Sequence, residues 1–164
     1  MAENILISKD ATRLQKYELL LPQLEALIGS EKDFIANLSN FVAALKETFG
    51  FFWIGFYVVK NDSGKNELVL GPFQGPVACT RISFNRGVCG KAWADNKIVI
   101  VEDVEKFPGH IACSALSKSE IVLPVRKNGE VVMVLDIDSD KLNDFDKEDA
   151  YQLQKLTALI EKRL

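Results

Sequence analysis

Residues 120–138 read EIVLPVRKNGEVVMVLDID and hold the strongest structural signal in the chain. Two runs rich in valine, isoleucine and leucine, 120–126 and 131–138, flank the pair Asn128-Gly129. Asn-Gly readily supplies the two positive φ angles that a two-residue hairpin turn needs, and a hairpin pairs its strands antiparallel. The stretch therefore predicts two neighbouring antiparallel strands.

Strand signals also occur before this hairpin. Residues 51–59 are aromatic and β-branched, which is typical of a strand. A turn at 61–64 leads to the expected partner strand at 67–70, and 98–101 adds another short strand. Together with the helices described next, these strands predict an α+β fold around a central antiparallel sheet.

Apolar residues at helical spacing predict three longer helices. The first begins at Asp10 and is interrupted or restarted at Pro22, because proline lacks the backbone N–H that the helix needs. The second follows residues 30–33, which resemble a capping box, and ends at Gly50. The last begins at Asp146. Helices at both ends of the chain can cover one face of the sheet.

The middle of the chain is rich in loops. Residues 71–90 and 102–118 contain glycine, proline and the three cysteines, with one short helix at 89–94. Loops this long in a compact domain are usually functional, so we expect them to cover the second face of the sheet or to form a pocket lid. At 164 residues and 48% hydrophobic, the chain fits one domain spanning residues 1–164.

Composition argues against several classes of protein. The net charge is −3 and the charges are mixed along the chain, so binding to nucleic acid through phosphate contacts is not expected. The start of the chain lacks the positive flank and apolar run of a signal peptide. The longest apolar stretch, 51–59, is too short to span a bilayer. We expect no membrane association and a cytoplasmic location, where cysteines are normally reduced.

The three cysteines lie in the loop-rich middle. Cys89, at a predicted helix start, fits a small buried residue that takes no part in chemistry, whereas Cys79 and Cys113 lie among polar and turn residues where a thiol could react. With His110 they form a set of three cysteines and one histidine, but only His110 and Cys113 have the spacing of a zinc knuckle. We therefore expect no metal site, and interpret His110 as a hydrogen-bonded loop residue.

Carboxylates accumulate at one end of the predicted hairpin. Val132, Val134, Asp136 and Asp138 alternate and so share one face of a strand. Either the strand emerges into solvent there, or two carboxylates on a half-buried face raise each other's pKa, so that one stays protonated and acts as an acid. Through the hairpin, Glu120 comes near both aspartates.

Aromatic residues alternate in the same way on the strand at 51–59. Trp53, Gly55 and Tyr57 share one face. Two interpretations remain open: they belong to the core, or they form a pocket wall in which the glycine leaves room for a ligand.

Seven motifs along the chain resemble one family. They are WIGFY at 53–57, GPFQG at 71–75, AC at 78–79, GVCG at 87–90, GHIAC at 109–113, SEIV at 119–122 and LDID at 135–138. Together they resemble the free methionine-R-sulfoxide reductase family, and the match extends from about residue 35 to the last helix. The resemblance implies a GAF-like fold, with a central antiparallel sheet, helices on one face and a loop-covered ligand pocket on the other.

The resemblance also implies roles for the cysteines. Cys113 is the nucleophile that becomes a sulfenic acid, Cys79 is the resolving cysteine, and Cys89 is the less certain second candidate for resolution. The family commonly has aspartate after the nucleophile, whereas this chain has Ser114. Losing a negative charge beside a thiolate favours ionisation, so we expect activity to survive.

The resemblance places five side chains around the substrate: Trp53, Tyr57, Glu120, Asp136 and Asp138. We assign Asp138, with Glu120, to the acid side of the reaction, and Asp136 to the substrate ammonium. We expect no bound cofactor and thioredoxin as the external reductant, while a homodimer is left open. The competing class is a non-catalytic GAF sensor that binds a small molecule.

Overall fold

The computed structural model describes residues 4–110 and 114–164. The helices within these ranges are α1 (Arg13–Gly29), α2 (Phe34–Phe49), α3 (Gly87–Asp95) and α4 (Lys147–Glu161), with a single 3-10 turn at Val104–Lys106. The strands are β1 (Trp53–Asp62), β2 (Lys65–Gln74), β3 (Arg81–Ser83), β4 (Val99–Val101), β5 (Ser119–Lys127) and β6 (Glu130–Ser139).

These strands form one antiparallel sheet, which has six strands within the described residues and the order β3-β2-β1-β6-β5-β4. The predicted hairpin is confirmed, because β5 pairs with β6 and both Asn128 and Gly129 have positive φ angles, 55° and 84°. The α+β prediction is confirmed with it.

Two helix starts differ from the prediction. Thr12, not Asp10, caps α1, and it shares a capping box with Gln15. Asp33 caps α2 through Ala36 N–H at 2.8 Å, so residues 30–33 are not a capping box beginning at Ser30. Local sequence offers several oxygen-bearing caps in a row, and packing of the helix behind them selects one. Gly50 and Asp146 lie at the expected end of α2 and start of α4.

Pro22 neither interrupts nor restarts α1, which continues through it. The reason is burial: Leu20, Leu24 and Ile28, at four-residue spacing, are each 0% exposed. Burying three such side chains is worth several kcal/mol, about 1.5–3 kcal/mol for each, and offsets the cost of about 3 kcal/mol for a proline in a helix.

The sheet separates two hydrophobic clusters. α1, α2 and α4 pack on the face that carries Ile54 and Phe56 of β1, while α3 packs on the face that carries Trp53 and Tyr57. The predicted arrangement of helices on one face and loops on the other is confirmed, with α3 accompanying the loops. Alternation along β1 therefore decides which side chains reach the second face.

A bulge in the β5–β6 ladder corrects one sequence expectation. The register shifts from Val125 opposite Met133 to Arg126 opposite Val131, which leaves Val132 as an extra residue. Val132 then packs with Met133 on the helix side, whereas Val134 lies on the other face. Strict alternation predicts that Val132 shares a face with Asp136 and Asp138. This prediction is wrong, because the bulge turns Val132 to the helix side.

Candidate active site

A cavity lies on the second face of the sheet, beneath α3 and the loops. Its lining brings together all five residues that the sequence places around the substrate. They are Trp53, Tyr57, Glu120, Asp136 and Asp138. One cavity thus combines an aromatic wall with a group of carboxylates.

Strand register brings the carboxylates together. Glu120 on β5 lies opposite Asp138 on β6, and Asp136, two residues before Asp138, lies opposite Val122. Carboxylate oxygens of Glu120 and Asp136 and the Sγ atom of Cys89 all lie within 4.8 Å of one another. The hairpin therefore delivers the expected carboxylate cluster, and α3 adds a thiol to it.

The strand does not emerge into solvent at the acidic end. Glu120 is 6% exposed and Asp136 is 7% exposed. Burial raises the pKa of Glu120 well above its ordinary value, and the charges of Asp136 and Asp138 raise it further. Burial likewise raises the pKa of Asp136, with Asp138 adding to the effect. These carboxyls bind protons far more readily than carboxyls in water do.

The pKa of Asp138 is shifted less strongly than the pKa values of Glu120 and Asp136. Burial raises its pKa to about 6, while a hydrogen bond from Ser117 acts in the opposite direction. Ser117 is itself buried at 7% exposed and lines the cavity. The sequence analysis did not single it out, because a serine in a loop gives no signal of the strand end that it faces.

Two polar atoms of the cavity lack partners among the described residues. Oδ1 of Asp136 and Nδ1 of His110 are both buried, and neither has a hydrogen-bond partner there. His110 was expected to be a hydrogen-bonded loop residue; its backbone N–H does donate to the Phe107 carbonyl at 3.1 Å, but its imidazole Nδ1 does not follow the expectation. Burial lowers the pKa of His110. An unpartnered buried polar atom is costly, and both residues line the cavity.

Hydrogen bonds fix the aromatic wall to the loop after β2. Trp53 Nε1 donates to the Pro76 carbonyl at 3.0 Å, and the Tyr57 hydroxyl donates to the Cys79 carbonyl at 3.0 Å. The two rings lie 6.0 Å apart at an angle of 25°. Burial and nearby carboxylates raise the pKa of Tyr57, so its hydroxyl stays protonated and remains a donor.

Gly55 does not leave room for a ligand. A Cβ atom at this position would lie 2.4 Å from Cη2 of Trp53 and 2.5 Å from Cβ of Phe73. The missing side chain is filled by the tryptophan ring of the same strand. Gly55 therefore lets the aromatic wall fold against the sheet, and the ligand space lies beyond that wall.

The two cysteines that the structure describes occupy different environments. Cys113, the expected nucleophile, lies outside the described residues. Cys79 is half-buried in the loop between β2 and β3. Cys89 is a free thiol in the first turn of α3 and is 3% exposed, as the buried interpretation predicts.

The contact between Cys89 and the carboxylates was missed by the sequence analysis. Burial raises the pKa of the Cys89 thiol well above its ordinary value, and Asp136 and Glu120 raise it further. Gly90 was the available signal: a Cβ there would lie 2.7 Å from the Ser83 carbonyl oxygen, so only glycine lets this turn of α3 approach β3 so closely.

Within the described residues, no ion pair joins a basic side chain to Glu120, Asp136 or Asp138. Lys118 pairs with Glu105 at 3.1 Å, and Arg81 pairs with Glu67 at 3.3 Å. Arg86, the residue before α3, lines the cavity and is exposed. Burial and mutual repulsion therefore set the protonation of the carboxylates.

Metal binding was expected to be disfavoured. Among the described residues, the ligand atoms that lie close enough together to hold an ion come from Cys89, Glu120 and Asp136. This group shares only Cys89 with the cysteine–histidine set considered from the sequence. Separately, no helix in the described part of the chain is long and apolar enough to cross a membrane.

Comparison with known proteins reveals close similarity. Residues 33–162 match the family model described as GAF domain. The chain is 59% identical over 161 residues to GAF domain-containing protein A of Dictyostelium discoideum, covering 98% of this chain and 99% of that protein. It is 46% identical over 149 residues to the free methionine-R-sulfoxide reductase of Escherichia coli, covering 90% of this chain and 88% of that protein.

A solved structure is also similar. Free methionine-R-sulfoxide reductase from Neisseria meningitidis, in complex with its substrate, superposes with a TM-score of 0.92 and 51% sequence identity. The match covers 96% of this chain and 93% of that one. The similarity therefore extends over nearly the whole fold of both chains.

Proposed function

We infer that this chain, which belongs to the GAF domain family and within it to the free methionine-R-sulfoxide reductases, reduces free methionine-(R)-sulfoxide to methionine. The protein is an oxidoreductase. The observation that carries its chemistry is the cavity in which buried carboxylates of high proton affinity face an aromatic wall. A sulfoxide sulfur is a poor electrophile until its oxygen is protonated, so the reaction needs an acid of this kind.

The carboxylates divide the work. Asp136 binds the substrate ammonium, because its buried Oδ1 atom lacks a partner within the described residues. Asp138, assisted by Glu120 opposite it, supplies the proton to the sulfoxide oxygen. An acid works best when its pKa lies near the working pH, and the pKa of Asp138 is raised to about 6.

Trp53 and Tyr57 pack the methyl group and side-chain carbons of the substrate. Their rings are held in place by hydrogen bonds to the backbone of the loop after β2. Sulfur favours contacts with aromatic rings, which suits a thioether-like side chain. The wall therefore orients the sulfur while the carboxylates hold the two polar ends.

Cys113 supplies the nucleophile. Its thiolate attacks the substrate sulfur, the oxygen passes to the cysteine, and methionine leaves with Cys113 oxidised to a sulfenic acid. The thiol of Cys79 then condenses with the sulfenic acid, forming a disulfide and releasing water. A thioredoxin-type dithiol reduces that disulfide by exchange and becomes oxidised itself. Cys89 is the alternative resolving thiol, and its burial and raised pKa make it the weaker one.

One experiment tests the reaction and its stereochemistry. The purified protein is incubated with racemic free methionine sulfoxide and a thioredoxin system, and the remaining enantiomers are resolved. We expect the R form at sulfur to disappear and the S form to remain. Consumption of both forms at equal rates would contradict the stereochemical assignment, and consumption of neither would favour a sensor that binds without catalysis.

A second experiment tests the ammonium site. N-acetylation removes the positive charge and adds bulk at the end of the substrate that Asp136 binds. We therefore expect N-acetyl-methionine sulfoxide to be reduced much more slowly than the free amino acid, when kcat/KM is compared at equal enzyme concentration. Equal values for both compounds would remove Asp136 as the ammonium partner.

A further inference from the structure

The proposed reaction uses Cys113 and Cys79 and requires no step from Cys89. It lies in the first turn of α3, and the close approach of Gly90 to the Ser83 carbonyl holds this turn against the sheet. Its Sγ atom lies within 4.8 Å of carboxylate oxygens of both Glu120 and Asp136. The thiol is therefore built into the floor of the cavity.

This environment suits a hydrogen-bond donor better than a redox thiol. Disulfide exchange requires a thiolate. Cys89 is 3% exposed and faces two carboxyl groups, both of which raise its pKa. The thiol keeps its proton and can donate it to a carboxyl oxygen of Asp136, which lies within 4.8 Å.

The cluster has a direction. Burial raises the pKa of both Asp136 and Glu120, and hydrogen bonds from Cys89 and Glu120 oppose that rise at Asp136. Asp136 lies within 4.8 Å of both the Cys89 thiol and the Glu120 carboxyl, and either group can donate to it when protonated. The other titratable groups on the cavity lining, among the residues that the structure describes, are Asp138 from β6, Tyr57 from β1, His110 and Arg86.

We propose that Cys89 is a positioning residue: its thiol donates to Asp136 and orients that carboxylate toward the substrate ammonium, and Cys89 exchanges no electrons in the cycle. The proposal rests on the proposed function, because it assigns the ammonium to Asp136. It gives each cysteine a separate task, with one attacking, one resolving and one fixing the binding carboxylate.

Three substitutions at residue 89 test the donor. Cys89→Ala removes the donor and leaves a small space, Cys89→Val removes the donor and fills the space, and Cys89→Ser keeps an O–H donor. Losing a hydrogen bond to a charged group typically costs about 10-fold or more in binding. We expect both donor-free variants to raise KM for methionine sulfoxide by about that factor. The rate constant for methionine formation in a single turnover at saturating substrate should change by less than about threefold. Cys89→Ser should stay within about threefold of the wild type in both.

Reduction of the oxidised enzyme by thioredoxin tests whether Cys89 takes part in redox chemistry. Thioredoxin-driven turnover, divided by turnover with dithiothreitol, should be unchanged in Cys89→Ser and should fall sharply in the matched variant Cys79→Ser. Cys89→Ser overturns the proposal if it is as impaired as Cys89→Ala, or if it stalls as a sulfenic acid when thioredoxin is the reductant.

A measurement without substrate separates this proposal from the proposed function. Carboxyl carbons of the reduced protein are titrated by NMR. The donor-free variants should move the Asp136 titration to higher pH, and Cys89→Ser should leave it near the wild-type position. No movement in the donor-free variants overturns the role of Cys89 whatever the substrate is. Movement in a protein that does not reduce methionine sulfoxide would uphold the hydrogen bond and overturn the proposed function alone.

Discussion

The two faces of the sheet use the same strands for opposite purposes. On β6, Leu135 and Ile137 are 0% exposed and pack beneath the helices, while Asp136 and Asp138 between and beside them enter the cavity. The helix face buries apolar area, which stabilises the fold. The cavity face buries carboxylates, which costs stability unless a ligand or proton compensates. Neighbouring residues on one strand therefore carry stability and chemistry separately.

The largest effect on the cavity side comes from removing its nucleophile. Cys113→Ser should abolish turnover, because a serine hydroxyl at neutral pH is a far weaker nucleophile than a thiolate. The fold should be retained, which circular dichroism checks. Near-normal methionine formation in Cys113→Ser, measured in a single turnover, would show that another cysteine attacks.

Asp138→Asn should lower the single-turnover rate of methionine formation by about 10²–10⁴-fold, the usual loss for a missing general acid. Asparagine keeps the shape and a donor but cannot transfer a proton. Alkylation of Cys113 by a small reagent serves as the control and should proceed as in the wild type. If Asp138→Asn forms methionine at the wild-type rate, Glu120 becomes the acid.

Ile137, which precedes Asp138 on β6 and packs on the helix side, provides the matched control. Ile137→Ala should lower the free energy of unfolding by about 2–5 kcal/mol, because it leaves a cavity in the helix-side cluster. Below the unfolding transition, its rate of methionine formation should remain close to that of the wild type. Urea unfolding and single-turnover rates on both variants test the separation directly, and a loss of 10²-fold in the folded Ile137→Ala protein would refute it.

The smallest expected effect is a pH dependence of stability. The pKa of Asp138 in the folded protein is raised to about 6 from an ordinary value of 3.8. The folded state therefore holds this proton more tightly than the unfolded state, and the resulting stability is present below pH of about 4 and is lost as the pH rises through about 6. We expect a decrease of about 1–3 kcal/mol across this range.

Asp138→Asn is the control for this pH dependence, because it removes one of the titrating groups. Urea unfolding of the reduced protein is measured at intervals from pH 4 to pH 7. The wild type should lose more stability over this range than the variant does. Parallel curves would show that Asp138 has an ordinary pKa in the folded state.

The sequence predicts the parts of this molecule that depend on local rules. The Asn128-Gly129 turn joins β5 to β6 and pairs Lys127 with Glu130 beside it. Alternation likewise predicts that Trp53 and Tyr57 share a face. Turn chemistry and the two-residue strand period are local properties.

What the sequence could not predict depends on contacts between distant segments. The bulge at Val132 breaks the strand period: it places Val132 and Met133 together on the helix side, and it shifts the register so that Glu120 lies opposite Asp138 instead of Ile137. Cys89 meets Asp136 only because α3 crosses strands that follow it in the chain. Pro22 stays helical because tertiary burial outweighs its local preference. Such outcomes are decided by the assembled core.

Gly55 has a consequence for how this binding site can change. The Trp53 ring fills the space that a side chain at residue 55 would occupy. A methyl group added there would lie only 2.4 Å from Cη2 of the indole. Any larger residue at 55 must push the indole outward, across the space that the ligand would use. A position without contact to the ligand thus sets the width of the site. A smaller residue at 53 would widen the site for a bulkier substrate, whereas any substitution of Gly55 would narrow it.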